Sequence, residues 1–196
     1  MHPELLSMSL FMLVTSCSPG PNNIVASYSA FNFGIIKTIP HMCGVIFGFT
    51  TLVAVVNFGL INIFKLYPLI QEVLKYGGSI FLLYLAYKIS FSKTNSSDSK
   101  ENPVKFIETF FFQFLNPKAV IVAIIIVSTY VESGKVFISY SLWVIGVAFF
   151  FACVSITFWT LLGKFLRKFA TNEKFIKRFN YVMSILLIGC IATFYY

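Results

Sequence analysis

The amino-acid sequence predicts an all-α integral membrane protein with six transmembrane helices, built as two inverted three-helix repeats. Three observations predict it. Hydrophobic residues fill 58% of the 196 positions and charged residues 11%, where soluble domains hold roughly 45–50% and about 25%. Several charge-free runs exceed the roughly 20 residues that cross a bilayer. These runs are apolar throughout and not at every second position, so they do not read as membrane strands. The composition excludes a soluble enzyme, a nucleic-acid module and a disordered tail. The formal charge of +8 points to topology and not to nucleic acid, because the basic residues sit in short segments between apolar runs.

The spans follow in order. Residues 5–36, 38–64 and 136–163 carry no Asp, Glu, Lys or Arg, and 179–196 is an 18-residue run at the lower limit. Residues 109–131 are interrupted only by Lys118. The third helix, 69–91, is the least apolar; Glu72 and Lys75 stand three apart and can pair, and Lys88 can snorkel to the interface. Six spans put both termini on one side. Placing them outside leaves 11 basic residues in cytoplasmic loops (Lys37; Lys88, Lys93, Lys100, Lys105; Lys164, Arg167, Lys168, Lys174, Lys177, Arg178) against 3 outside (Lys65, Lys75, Lys135). The Lys/Arg excess of cytoplasmic loops therefore predicts periplasmic termini in a bacterial inner membrane. The first apolar run lacks a basic n-region and has Glu4 in its place, so the first helix is expected to remain in the mature chain. Cys17, Cys43, Cys153 and Cys190 show no CxxC spacing, and neither a disulfide framework, a metal nor another cofactor is expected.

Prolines break two of these helices. Ser18-Pro19-Gly20-Pro21-Asn22-Asn23 lies within the first and Asn116-Pro117-Lys118 within the fourth, with Pro19 and Pro117 98 residues apart, half the chain. That offset suggests a duplicated unit of three helices, and an odd number of spans turns the second copy upside down. The repeats are 1–91 and 105–196, joined by a polar, Ser-rich linker at 92–104. A proline inside a helix removes an N–H and leaves carbonyls unpaired, which lipid cannot tolerate, so both breaks are expected to be buried or to line a watery cavity. Each lower half-helix is expected to restart with an N-cap and a proline, Ser18 then Pro19, and Asn116 then Pro117. Such a start offers free N–H groups and about half a positive charge to an anion. Gly20 lets a ligand approach the backbone closely.

Lys118 is the one formally charged residue near the middle of a span. Insertion scales put a central Lys at about 2.5 kcal/mol or more, so it is expected to face the interior or a pathway. The blander reading is that it snorkels or balances Glu108. Thr15, Ser18, Asn22 and Ser29, and likewise Thr109, Gln113 and Asn116, follow helical spacing and form either wet faces or interhelical packing bonds. Gly44, Gly48, Thr51, Gly59 and Asn62 trace a small-residue seam on the second helix, read as packing that would also permit a homodimer, with Asn57 or Asn62 as an outside candidate for substrate contact.

Pro19-Gly20-Pro21-Asn22, Gly44-x-x-x-Gly48, Lys75-x-Gly77-Gly78 with Tyr84-Leu85, and Asn116-Pro117-Lys118 together resemble the LysE/RhtB family of bacterial amino-acid exporters along essentially the whole chain. Members commonly carry Thr where this chain has Ser18. The resemblance implies an inner-membrane protein, not an enzyme, that moves amino acids or close derivatives outward on the proton gradient. No Asp or Glu lies well inside a span, so an intramembrane carboxylate is not the evident proton carrier. On this reading the substrate carboxylate meets the half-helix starts at Gly20, Asn22 and Asn23, and Lys118. Its ammonium meets Asn22, Asn116, Gln113 and the carbonyls freed at the breaks. The alternatives are an exporter of another small solute and a non-transporting scaffold. A thiol redox carrier lacks a second cysteine at the matching break, and a metal exporter would want clustered ligands where the chain has only His2 and His41.

Overall fold

Two prolines spaced by one residue decide where the first apolar run breaks. Ser18 and Gly20 each precede a proline and take extended backbone, with ψ 147° and 170°, because the proline ring crowds a helical residue before it. The helix therefore ends before Ser18 and cannot restart until Pro21. The computed structural model, which describes residues 3–60, 68–91, 103–132, 134–170 and 172–195, has α1 at Leu5–Cys17 and α2 at Pro21–Phe33. The expected restart at Ser18-Pro19 is corrected to Gly20 as N-cap and Pro21 as first helical residue. Gly34, with φ 83°, turns the chain directly into α3, Ile35–Val55. A π-helical turn, Val56–Leu60, follows it. Residues 61–67, including Asn62, and 92–102 of the linker lie outside the described residues.

The remaining helices are α4 (Pro68–Ser90), α5 (Phe106–Leu115), α6 (Pro117–Tyr130), α7 (Phe137–Arg167) and α8 (Glu173–Ala192). Glu108 accepts the Lys105 N–H at 2.9 Å and Asn172 accepts the Phe175 N–H at 2.8 Å, satisfying donors at two helix starts. The second break falls where it was expected. Asn116 is extended (φ −87°, ψ 105°), Pro117 opens α6, and α5 and α6 meet at 64°. By length and composition α3 with its π turn (Ile35–Gly59), α7 and α8 are each able to cross a membrane, and α5 with α6 makes a fourth if the bent pair is one span. Among the described residues there is no strand.

The helices pack so that α3 lies on α7 and α4 on α8, while α1 and α2 lie against α7 and α5 lies against α3. One apolar core gathers Met8 and Met12 of α1, Leu52 of α3, Ala123 and Ile126 of α6, and Val144 and Ala148 of α7. A second gathers Ile24 and Tyr28 of α2, Leu85 and Ile89 of α4, Phe112 of α5 and Leu187 of α8. Each broken helix thus gives one half to each core, which fixes the breaks between them. Glycine makes the closest approaches. A Cβ at Gly44 would stand 2.7 Å from the Phe106 carbonyl oxygen, one at Gly48 2.8 Å from that of Phe110, and those at Gly78 and Gly163 would collide with the backbones of Leu115 and Ser27. Gly44 and Gly48 of the expected seam thus pack within the chain, whereas a Cβ at Gly59 would meet nothing within 4 Å and Asn62 lies outside the described residues.

Candidate functional site

A broken helix must satisfy the carbonyls that its missing turn would have served. At the first break the chain does this with side chains from both halves of the sequence. Ser16 O accepts from Asn23 Nδ2 (2.9 Å) and Ser155 Oγ (2.6 Å), Cys17 O from Trp159 Nε1 (3.2 Å), and Ser18 O from Asn23 Nδ2 (3.0 Å). Lys118 completes the set: its Nζ donates to Ser18 Oγ (2.7 Å), Ser18 O (3.1 Å) and Pro19 O (3.3 Å). All three ammonium protons have acceptors. A Cβ at Gly20 would come within 3.1 Å of this Nζ. The close approach that Gly20 permits is therefore made by Lys118, and the carbonyls expected to await a ligand ammonium here are already bonded.

Asn22 and Lys118 hold the same place, the second residue of a restarted helix. As Lys118 reaches across to the end of α1, Asn22 reaches across to the end of α5. Asn22 Nδ2 donates to Gln113 Oε1 (2.8 Å) and Gln113 Nε2 returns to Asn22 Oδ1 (3.2 Å), while Gln113 Nε2 also bonds Thr109 O (2.8 Å). Behind this pair sits His41 of α3, wholly buried, with Nε2 3.0 Å from Asn22 O and Nδ1 2.9 Å from Thr109 Oγ1.

Between the two crossings lies a cavity in which water centres can occupy about 70 Å³, against the roughly 10–15 Å³ that one water requires. Gly20, Asn22, Asn23, Gln113, Asn116 and Lys118 all line it, as does Pro21. The structure thus brings together every residue expected to bind substrate, drawn from positions about 90 apart in sequence. Pro19 and Pro117 shape the breaks without lining the space. Lys118 is the sole charged group among the described lining residues, and Val45, Phe49, Val122 and Ala152 supply apolar wall. The first intrahelical bonds run from Ile24 N to Gly20 O and from Val120 N to Asn116 O. The N–H groups of Asn22, Asn23, Lys118 and Ala119 precede those ladders and turn the positive ends of α2 and α6 toward the cavity. Asn116 is buried, makes no side-chain cap, and leaves its Oδ1 without a hydrogen-bond partner.

Sequence reasoning missed two residues here. Ser155 lines the cavity from α7, and nothing in its apolar surroundings marks it apart from the other hydroxyls. His41, which stands behind the lining on Asn22 and Thr109, enters the sequence reading only as a metal ligand without a cluster. Its signal was available, since it lies three residues before the Gly44 seam and so on the same face. Asn57 goes elsewhere, donating to Ser141 Oγ at 2.9 Å. Ser29 pairs with Thr38 at 2.9 Å, so the polar face expected along the first helix divides between cavity and packing.

Two helix breaks whose positive ends and a lysine surround a cavity, in a chain with helices long and apolar enough to cross a membrane, have the form of a broken-helix translocator site. The family model described as LysE type translocator matches residues 13–196. The chain belongs to that family. It is 30% identical over 204 aligned positions, covering 100% of both chains, to proteins named cysteine/O-acetylserine efflux protein from Escherichia coli (strain K12) and Shigella sonnei (strain Ss046). No solved structure matches it.

Proposed function

We propose that this protein exports small neutral amino acids or close derivatives across the bacterial inner membrane, binding them in the cavity between the two breaks. The observation that carries the reading is a cavity whose described lining holds one cation, Lys118, and the N-termini of two helices, which suits the carboxylate of an amino acid. The substrate ammonium meets Asn116, and its carboxylate meets the N–H groups of Asn22, Asn23, Lys118 and Ala119 under the charge of Lys118. Its side chain lies against Val45, Phe49, Val122 and Ala152. A basic side chain would face Lys118 without a carboxylate to pair with, which favours neutral substrates; the names of the relatives fit a substrate of this size.

The chain crosses the membrane six times as two inverted three-helix repeats with periplasmic termini. Support comes from the packing: the first broken pair lies on α7, α5 of the second lies on α3, and α3–α7 and α4–α8 pair across the repeats. The reciprocal reach of Asn22 and Lys118 obeys the same two-fold relation. Transport proceeds by rocking of the repeats about the cavity, in exchange for protons. Inverted vesicles with an imposed proton gradient and a panel of labelled amino acids test the reading. Uptake of small neutral amino acids that Lys118→Ala abolishes is expected, and normally inserted wild-type protein that takes up no amino acid refutes it.

A further inference from the structure

We infer that His41 is the proton-carrying residue of this transporter, working through Thr109; the inference rests on the exporter reading above. The need for such a residue arises because no carboxylate lies well inside a span and because the three protons of Lys118 are all held by Ser18 and Pro19. Among the described residues His41 is the other basic side chain in the interior. It stands between the cavity and one end of the bundle: Nε2 bonds the backbone of Asn22 at the cavity wall, and Nδ1 bonds Thr109, one turn from the start of α5.

Its two partners suit both charge states. Asn22 O can only accept, so Nε2 keeps its hydrogen throughout. Nδ1 is the lone pair that changes. In the neutral ring it accepts the Thr109 hydroxyl proton. When a proton from water binds Nδ1, the ring becomes a cation donating at both nitrogens, and Thr109 Oγ1 turns to accept. Release reverses the step, with only an N–H bond formed or broken and no other reactant. A hydroxyl serves both states because it can either donate or accept by rotating. The titratable groups on the elements around the ring are Lys37, which is exposed, and Cys43 on its own helix, Tyr28 on α2, Lys105 at the N-cap and Glu108 in the first turn of α5, and Tyr140, Cys153, Lys164 and Arg167 on α7. The ring's own bonds go to Asn22 and Thr109. Protonation then places a second positive charge directly behind the Asn22–Gln113 pair, opposing an ammonium in the cavity, so proton and substrate exclude one another, as antiport requires.

The test separates coupling from binding. Proteoliposomes carrying the full chain are assayed with reduced, labelled L-cysteine in two modes, equilibrium exchange and accumulation driven by a pH gradient. The variants are His41→Gln, which keeps an N–H and an acceptor but takes up no proton, Thr109→Val, which lacks the reversible hydroxyl, and Thr109→Ser, which restores it. His41→Gln and Thr109→Val are expected to lose accumulation at least tenfold while keeping exchange within about threefold, and Thr109→Ser to match wild type. If His41→Gln does not reconstitute, the Thr109 pair decides. Gradient-driven accumulation by His41→Gln or Thr109→Val at the wild-type level overturns the inference, as does a wild type that exchanges cysteine without accumulating it. A wild type that neither exchanges nor accumulates any small neutral amino acid sinks the exporter reading itself.

Discussion

Gly44→Ala tests the tie between helix packing and the site. A Cβ at Gly44 would stand 2.7 Å from the Phe106 carbonyl oxygen and 2.7 Å from Thr109 Cβ. Ordinary contact begins at 3.4 Å, so the two helices must part by about 0.7 Å, because a backbone carbonyl cannot swing away as a flexible side chain does. His41 lies one turn back on the same face of α3 and moves with it. Its 2.9 Å bond to Thr109 would open to about 3.6 Å, which is no longer a hydrogen bond. Overpacking of this kind costs about 1–3 kcal/mol, and the unmet buried groups add about 1–3 kcal/mol. At roughly 2–4 °C per kcal/mol for a chain of this size, a loss of at least about 4 °C in Tm is expected in detergent. Gradient-driven cysteine accumulation in proteoliposomes should fall at least tenfold with it, as for Thr109→Val, which removes the same bond. Gly146→Ala, where a Cβ meets nothing within 4 Å, serves as control. A Gly44→Ala protein with the Tm and gradient-driven accumulation of wild type would refute the reasoning.

Lys118→Ala is expected to abolish export in vesicles while membrane levels stay near normal, because the lost bonds at the first break are offset by removal of an intramembrane charge that costs about 2.5–3.5 kcal/mol on insertion scales; unchanged export would remove Lys118 from the site. A double-mutant cycle on Asn22→Leu and Gln113→Leu should give a coupling of about 1–2 kcal/mol in unfolding free energy, as befits two reciprocal amide bonds, and additivity would mean that the pair does not form. Asn57→Leu should leave the KM for export unchanged, since Asn57 bonds Ser141 away from the cavity. Reporter fusions after residue 91 and at the C-terminus should report cytoplasm and periplasm respectively; the reverse pattern would invert the topology.

Most of the local structure was legible along the chain. Apolar runs without charges specify helices, and prolines specify where two of them break, because both effects act within a few residues. The restart at Pro21 belongs with these: Gly20 is itself a residue before proline, and applying that rule a second time moves the break by two positions. The candidate residues Gly20, Asn22, Asn23, Gln113, Asn116 and Lys118 were also legible, since polar and charged groups within apolar runs are conspicuous. Their partners were not. That Lys118 closes the first break, that Asn22 clasps Gln113, and that His41 stands behind them depend on which helices touch. This is set by glycine contacts such as Gly44 on Phe106 and by two apolar cores that each take half of a broken helix. Sequence by itself determined the elements and the chemistry available at the breaks, because these follow from backbone sterics and from transfer into an apolar medium. Only the tertiary structure decided which orphaned groups are satisfied within the chain and that Asn116 Oδ1 remains without a partner, because a hydrogen bond is fixed by a distance of about 3 Å between residues that lie some 90 to 100 positions apart.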